Sequence, residues 1–252
     1  MKTIGDNENS DDTKAMEEFE KEVAMLDKFR SEYIIHFYGA VFIPKKICMV
    51  TEFAQYGSLK DYMDKHPNDP LSEKMRVKFL YHCAKGIQYL HANGIMHRDI
   101  KPDNFLIVSL EEDVLVNCKL TDFGSARNIN MLQTNLTFTK GGVGTPKYMA
   151  PEILKKDKYK MPADIYSFAI SMLEVFTWSN PFPKEVYKFA WDIADAVAEG
   201  KRPLLINEVD GIMRKLIEES WCDNPRNRLT IDQIIPMLES QIMMFNLNTF
   251  FE

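Results

Sequence analysis

The loop formed by residues 97–104 concentrates side chains that can do chemistry. Seven of its eight residues are polar, charged or proline, and apolar segments flank it on both sides. Catalytic side chains are commonly presented on loops that buried elements hold in place. The loop carries the Asp99 carboxylate, the Lys101 ammonium and the Asn104 amide, groups of the kinds that move protons, neutralise charge and bind metal ions. Taken one at a time, Asp99 is also a plausible turn residue and Asn104 a plausible cap.

Two further motifs follow this loop along the chain. They are Asp122-Phe123-Gly124 and Ala150-Pro151-Glu152. One such triplet alone is uninformative, but the order H-R-D-x-K-x-x-N, D-F-G and A-P-E resembles the signature of protein kinases. The resemblance extends over residues 13–238 and implies an α+β, two-lobed protein-kinase-like fold. Residues 1–54 would form an incomplete small lobe of antiparallel strands and one helix, and residues 55–252 would form a large, mainly α-helical lobe.

The resemblance assigns roles in phosphoryl transfer to the loop. Asp99 would be the base that accepts the proton of a substrate hydroxyl, and Lys101 would neutralise charge on the migrating γ-phosphate of ATP. Asn104 and Asp122 would supply the oxygen ligands that Mg²⁺ prefers, with Mn²⁺ as an alternative ion. Phosphoryl transfer needs little covalent help from the protein, so a base, a cation and two metal ligands must converge in one place.

Nucleotide-binding residues are expected in and around the small lobe. Glu22 lies on the apolar stripe of a helix that residue spacing predicts over residues 13–29. It is either a glutamate at the edge of that stripe, with its carboxylate in water, or the family's helix glutamate that pairs with a phosphate-binding lysine. The resemblance favours the second interpretation. It also implies the gatekeeper Thr51, the hinge residues Glu52 and Ala54, and Leu106 beneath the adenine ring.

The sequence departs from the kinase pattern at its front. It holds neither the Gly-rich hairpin nor the V-A-x-K strand that kinases place before the helix glutamate. Lys2 either replaces the strand lysine or lies just beyond it. We therefore expect an N-terminally truncated kinase domain that binds Mg·ATP weakly. A non-catalytic, pseudokinase-like interaction module is the alternative function, although the presence of Asp99, Asn104 and Asp122 favours the enzyme.

Several elements must position these residues. The spacing of apolar and turn residues predicts, in chain order, antiparallel strands over 34–43 and 46–51, a helix capped by Ser58, a helix over 72–93 ended by Gly94, a strand after the loop and a central helix over 163–178. The helix over 163–178 is apolar nearly all round, which is typical of a helix buried in the centre of a lobe.

Supporting contacts are also implied by the resemblance. His97 would pack under the loop against Phe123 and would be structural rather than catalytic. Asp164 would hold the loop backbone from below and would also cap the central helix. Arg228, in a W-x-x-x-P-x-x-R pattern, would form a buried ion pair with Glu152, whose breakage would be destabilising.

The Thr-rich segment between the second and third motifs is either a flexible surface loop or an activation loop. Arg98 favours the second interpretation, because an arginine beside the catalytic aspartate can pair with a loop phosphate. Thr137 or Thr139 would be the phosphorylated residue. Thr145 is expected to orient Lys101 and Asp99 rather than to accept phosphate.

The kind of kinase follows from the residues around the motifs. Lys101 followed by Pro102-Asp103-Asn104 is the serine/threonine type of catalytic loop. Gly57-Ser58-Leu59 and the Trp221 motif resemble the tyrosine-kinase-like group, which includes the Raf and mixed-lineage kinases. We therefore expect phosphorylation of Ser and Thr in protein substrates of a signalling pathway, with dual specificity as an open alternative.

Composition limits the remaining functions. The chain has 252 residues and a net charge of −6, which does not favour a nucleic-acid partner. No uncharged apolar run approaches the length of a membrane span. The four cysteines show no metal-ligand spacing, which favours reduced thiols and a cytoplasmic protein or the cytosolic part of a larger one. Oligomeric state cannot be inferred from these features.

Overall fold

The computed structural model describes residues 20, 23–24, 26–43, 46–128, 145–155, 157–158 and 160–248. Its strands are β1 (Phe37–Ile43), β2 (Lys46–Thr51), β3 (Ile95–Met96), β4 (Phe105–Ile107), β5 (Cys118–Leu120) and β6 (Arg127–Asn128). Its helices are α1 (Leu59–Lys65), α2 (Glu73–Ala92), α3 (Pro151–Leu154), α4 (Met161–Thr177), α5 (Ala190–Ala198), α6 (Gly211–Ser220) and α7 (Ile231–Asn248). This mixed arrangement agrees with the predicted α+β class. Within the described ranges, no helix combines the length and apolar character needed to cross a membrane.

The strands pair as β1–β2, β3–β6 and β4–β5, and each pair is antiparallel. The first pair agrees with the predicted hairpin, although β1 begins at residue 37 rather than at residue 34. The β4–β5 pair positions the motifs, because β4 follows residues 97–104 directly and Phe105 lies opposite Leu120. Asn104 and Asp122 are therefore carried to the same end of one ladder.

Short-range signals set the helix ends. The Ser58 hydroxyl accepts a hydrogen bond from the backbone N–H of Asp61 at 3.0 Å and caps α1. The Ser72 hydroxyl does the same for α2, from the N–H of Met75 at 3.2 Å. Gly94 follows the end of α2 with a φ of +70°, a conformation that glycine adopts at little cost. The Ser58 cap and the helix end at Gly94 agree with the sequence prediction, and Ser72, predicted as the start of its helix, is the capping residue.

Helix α4 lies at the centre of the large lobe. Every residue from Ala163 to Val175 is buried, as its apolar character predicts. The prediction that Asp164 caps this helix is wrong. The helix begins earlier, at Met161, with Pro162 in its first turn, where a missing N–H costs nothing. Asp164 therefore lies inside the first turns, and its carboxylate is used elsewhere.

The helix predicted over residues 13–29 ends earlier than expected. Residues 20, 23, 24 and 26 are helical, and the chain turns at residues 27–28. Phe29 lies beyond the helix, where its N–H donates to the Leu26 carbonyl at 3.1 Å. The Phe29 ring packs edge-on against Phe123 at 5.0 Å and against Tyr89 at 6.1 Å between centroids. The last turn of the predicted helix is therefore absent, and the Phe29 ring is buried against the large lobe instead.

Candidate active site

A buried carboxylate holds the loop of residues 97–104 from below. Asp164 is fully buried, and its oxygens accept the backbone N–H groups of His97 and Arg98, each at 2.9 Å. The ring Nε2 of His91 lies 2.9 Å from the same carboxylate. Burial alone would raise the pKa of Asp164, but the hydrogen bond and charge of His91, with the other donors, hold it below its usual range. Asp164 thus remains an anion beneath the loop.

This anchor is needed because the loop backbone is strained. Arg98 has a φ of +71°, in the left-handed region that non-glycine residues rarely occupy. Such a conformation persists only where the surroundings over-determine it. The hydrogen bonds that Asp164 accepts from the backbone N–H groups of His97 and Arg98 supply that constraint.

His97 is a neutral, structural side chain. Its Nε2 lies 2.9 Å from the Thr121 carbonyl, which only accepts, and its Nδ1 accepts the N–H of Asp99 at 3.3 Å. These partners assign the proton to Nε2. Burial lowers the pKa of His97 despite the nearby carboxylates, so the ring stays neutral. It packs edge-on against Phe123 at 5.3 Å, the contact that the resemblance implies.

The predicted catalytic side chains converge in one hydrogen-bonded group. Lys101 Nζ lies 2.8 Å from Asp99 Oδ2 and 3.0 Å from the Thr145 hydroxyl. Asn104 Nδ2 donates to the Asp99 carbonyl at 2.7 Å and approaches its carboxylate at 3.3 Å. The Asp99 carboxylate is therefore fixed by a cation on one side and an amide on the other.

The residues predicted to bind Mg²⁺ fit a hard cation. The side-chain amide nitrogen of Asn104 donates to Asp99, which leaves the side-chain oxygen Oδ1 of Asn104 available. The Asp122 carboxylate makes no hydrogen bond or ion pair to another described residue. The backbone of Asp122 has a φ of +61°, in the left-handed region that non-glycine residues rarely occupy. The backbone carbonyl of Asn104 accepts the N–H of Thr121 at 3.0 Å, so the two segments are fixed beside each other. An amide oxygen and a carboxylate are the donors that Mg²⁺ prefers.

The predicted hinge residues lie between β2 and α1. Thr51 ends β2 and is exposed, and the Ala54 carbonyl accepts the N–H of Gly57 at 3.1 Å. Leu106 lies in the middle of β4 and forms an isolated bridge with Ser58, so the segment that follows the hinge runs alongside β4. The side chain of the remaining hinge residue, Glu52, forms an ion pair described below. Glu22 and Lys2 lie outside the described residues.

The end of the third motif is fixed by an ion pair. The Arg228 guanidinium binds the Glu152 carboxylate through two hydrogen bonds of 2.7 Å, and the Arg228 side chain is fully buried. It also donates to the Pro162 carbonyl at 2.8 Å. Sequence reasoning missed the Tyr166 ring, which lies 5.1 Å from the guanidinium of both Arg228 and Arg202. The sequence signal for this contact is weak, because the same helix holds two other aromatic residues, Phe168 and Phe176.

A second buried carboxylate was also missed. Glu174 of α4 accepts hydrogen bonds from Lys147 Nζ at 2.6 Å and from the Tyr148 hydroxyl at 2.7 Å. Ser167 of the same helix donates to the Tyr148 carbonyl at 2.8 Å. These contacts fix the short segment that begins with Thr145 and so hold its hydroxyl on Lys101. The signal available in the sequence was a glutamate in a helix whose residues are mostly apolar.

The predicted phosphorylation sites are not in the described part of the chain. Thr137 and Thr139 fall in residues 129–144, outside the described residues. The pairing of Arg98 with a phosphate therefore stays a prediction. Thr145 does contact Lys101, as predicted.

Comparisons with known proteins agree on one family. A family model described as the protein kinase domain matches residues 1–237. A protein of Acanthamoeba polyphaga mimivirus named as a serine/threonine-protein kinase/receptor is 36% identical over 88% of the chain and 13% of its own length. One of Dictyostelium discoideum named as a serine/threonine-protein kinase is 34% identical over 91% of the chain and 14% of its own length. A serine/threonine/tyrosine-protein kinase of Arabidopsis thaliana is 33% identical over 90% of the chain and 55% of its own length.

Proposed function

Because the chain belongs to the protein kinase family, in agreement with the predicted tyrosine-kinase-like resemblance, we propose that it transfers the γ-phosphate of ATP to Ser and Thr hydroxyls of protein substrates. The observation that carries this proposal is the group formed by Asp99, Lys101, Thr145 and Asn104, with bonds of 2.7–3.3 Å. It places a base, a cation and a metal-ligand oxygen in one place, which is what phosphoryl transfer requires.

Each residue has a separate task in this mechanism. Asp99 accepts the proton of the substrate hydroxyl and orients its oxygen toward the phosphorus. Lys101 neutralises charge that develops on the transferred phosphoryl group, and Thr145 keeps its ammonium in place. Asn104 and Asp122 would hold Mg²⁺, which neutralises phosphate charge when bound. The Asp164 anchor keeps the loop geometry constant through the reaction.

The organisation and location of the domain are part of the proposal. Residues 1–54 are assigned to the small lobe and residues 55–252 to the large lobe, with Glu52 and Ala54 at the hinge. The four cysteines are free thiols, which is typical of a reducing compartment and supports a cytoplasmic location. The chain spans 13–14% of the first two relatives, so the substrates and signalling partners of a longer protein are proposed only as a class.

Transfer of labelled phosphate from Mg·ATP to a generic acceptor such as casein tests the proposal. We expect slow transfer to Ser and Thr, because the sequence holds no V-A-x-K lysine. Asp99→Asn should reduce it at least a hundredfold, since general-base catalysis contributes about 10²–10⁴-fold. Asp232→Asn is the matched control, because Asp232 is exposed in the first turn of α7 and, among the described residues, its side chain accepts one hydrogen bond, from Gln88.

Equal transfer by the wild-type chain and Asp99→Asn would contradict the catalytic assignment. Absence of both transfer and Mg·ATP binding, in a chain that circular dichroism shows to be folded, would instead favour the non-catalytic interaction module. Calorimetric titration with Mg·ADP separates these outcomes from a simple lack of a suitable acceptor.

A further inference from the structure

A lysine on strand β5 holds the hinge glutamate. Both carboxylate oxygens of Glu52 lie 2.7 Å from Lys119 Nζ. The same carboxylate accepts the N–H of His36 at 3.2 Å, and the N–H of Glu52 donates to the His36 carbonyl at 2.8 Å. Both charged side chains are largely buried, with 15% of Lys119 and 25% of Glu52 exposed. The pair therefore connects the hinge to a strand 67 residues further along the chain.

Lys119 stands on a rigid base. It lies opposite Leu106 in the β4–β5 ladder, and residues directly opposite each other in an antiparallel pair project from the same face. Its neighbour Leu120 donates to the Tyr33 carbonyl at 2.9 Å and accepts from the N–H of Ile35 at 3.0 Å. Strand β5 is thus hydrogen-bonded on both edges, which fixes the backbone from which the Lys119 side chain extends.

We propose that Lys119 is a positioning residue for the nucleotide. By fixing the Glu52 carboxylate, Lys119 holds the hinge backbone at a constant distance from Leu106. The hinge groups that would bind the adenine edge and the side chain that would lie beneath the ring then keep a constant separation. This inference rests on the proposed function, because it takes ATP as the ligand. The bidentate and largely buried geometry makes the pair less sensitive to screening than an exposed one.

Lys119→Met tests the proposal, because it keeps an unbranched apolar side chain of similar length and removes the ammonium. We expect the dissociation constant for a fluorescent ADP analogue with Mg²⁺ to rise about tenfold, which corresponds to about 1.4 kcal/mol. KM for ATP should rise by the same factor while kcat stays within about twofold. Lys119→Arg should retain most of the affinity. Lys201→Met, which removes an exposed pair with Glu199, should change neither quantity.

Hydrogen exchange gives a readout that does not depend on nucleotide. In Lys119→Met and in Glu52→Gln, backbone amides of residues 51–57 should exchange at least fivefold faster than in the wild-type chain, whereas amides inside α2 should not change. The measurement is made at a temperature where circular dichroism shows each variant to be folded. Two variants that act on opposite partners guard against one of them failing to fold.

The outcomes are distinguishable. Unchanged exchange in residues 51–57 would overturn the inference whether or not the chain binds nucleotide. Faster exchange with unchanged ADP affinity in a chain that binds ADP would also overturn it, because the pair would then be only structural. If the wild-type chain binds no nucleotide, the proposed function fails and the role in nucleotide positioning fails with it, while faster hinge exchange would still identify the pair as a structural tie.

Discussion

Replacing Asp164 by Asn tests the anchor beneath the catalytic loop. One carboxylate oxygen accepts the N–H of Arg98, and the other accepts the N–H of His97 and lies 2.9 Å from His91 Nε2. An asparagine keeps one acceptor oxygen and places an N–H donor where the other oxygen stood. Either orientation of the amide therefore leaves at least one buried N–H facing another N–H.

The cost of this change can be worked out from the contacts. An unsatisfied buried donor costs about 1–3 kcal/mol, and hydrogen bonds to a charged acceptor are worth about 1.5–3 kcal/mol compared with about 1 kcal/mol for a neutral one. The fully buried position of Asp164 gives the amide no access to water in compensation. We therefore expect Asp164→Asn to lower the free energy of unfolding by about 2–4 kcal/mol. Phosphoryl transfer should also fall, because the left-handed conformation of Arg98 loses at least one of the two backbone hydrogen bonds that constrain it.

Urea unfolding followed by circular dichroism measures the loss, with Asp232→Asn as the matched control. Asp232 accepts one exposed hydrogen bond, from Gln88 at 2.7 Å, which asparagine can also accept, so its loss should stay below about 0.5 kcal/mol. A free energy of unfolding for Asp164→Asn within about 0.5 kcal/mol of the wild-type value, with an unchanged dependence on urea, would refute the reasoning.

Two further predictions concern stability. Burial lowers the pKa of His82 to about 3. Below about pH 6.5 the unfolded chain therefore binds a proton that the folded chain does not. The free energy of unfolding should be highest above pH 6.5 and should fall by up to about 1.4 kcal/mol per pH unit below it. His82→Gln should flatten this slope in urea titrations between pH 7 and pH 5, and an equally steep slope in the variant would contradict the assignment. Glu152→Gln should cost about 3–5 kcal/mol, because it leaves the buried Arg228 cation without its counter-charge. Thermal unfolding checks this, and a Tm within about 2 °C of the wild-type value would show that the pair contributes little.

The sequence by itself determined the local elements and the composition of the site. Ser58, Ser72 and Gly94 marked helix ends correctly, because a cap depends on hydrogen bonds among residues within about three positions of each other. The order of the three motifs predicted the family that the comparisons show. It also predicted that Asp99 and Lys101 would lie together, since they are separated by only one residue.

Only the tertiary structure decided which distant residues meet. Of the two roles predicted for Asp164, it retained the contact with the loop and excluded the helix cap, because α4 begins at residue 161 and supplies its own first turn. It placed the thiols of Cys83 and Cys118, 35 residues apart, within 3.6 Å of each other, although their spacing gave no sign of contact. It also joined Glu52 to Lys119. Such contacts depend on how whole elements pack, and no repeat or spacing along the chain encodes that geometry.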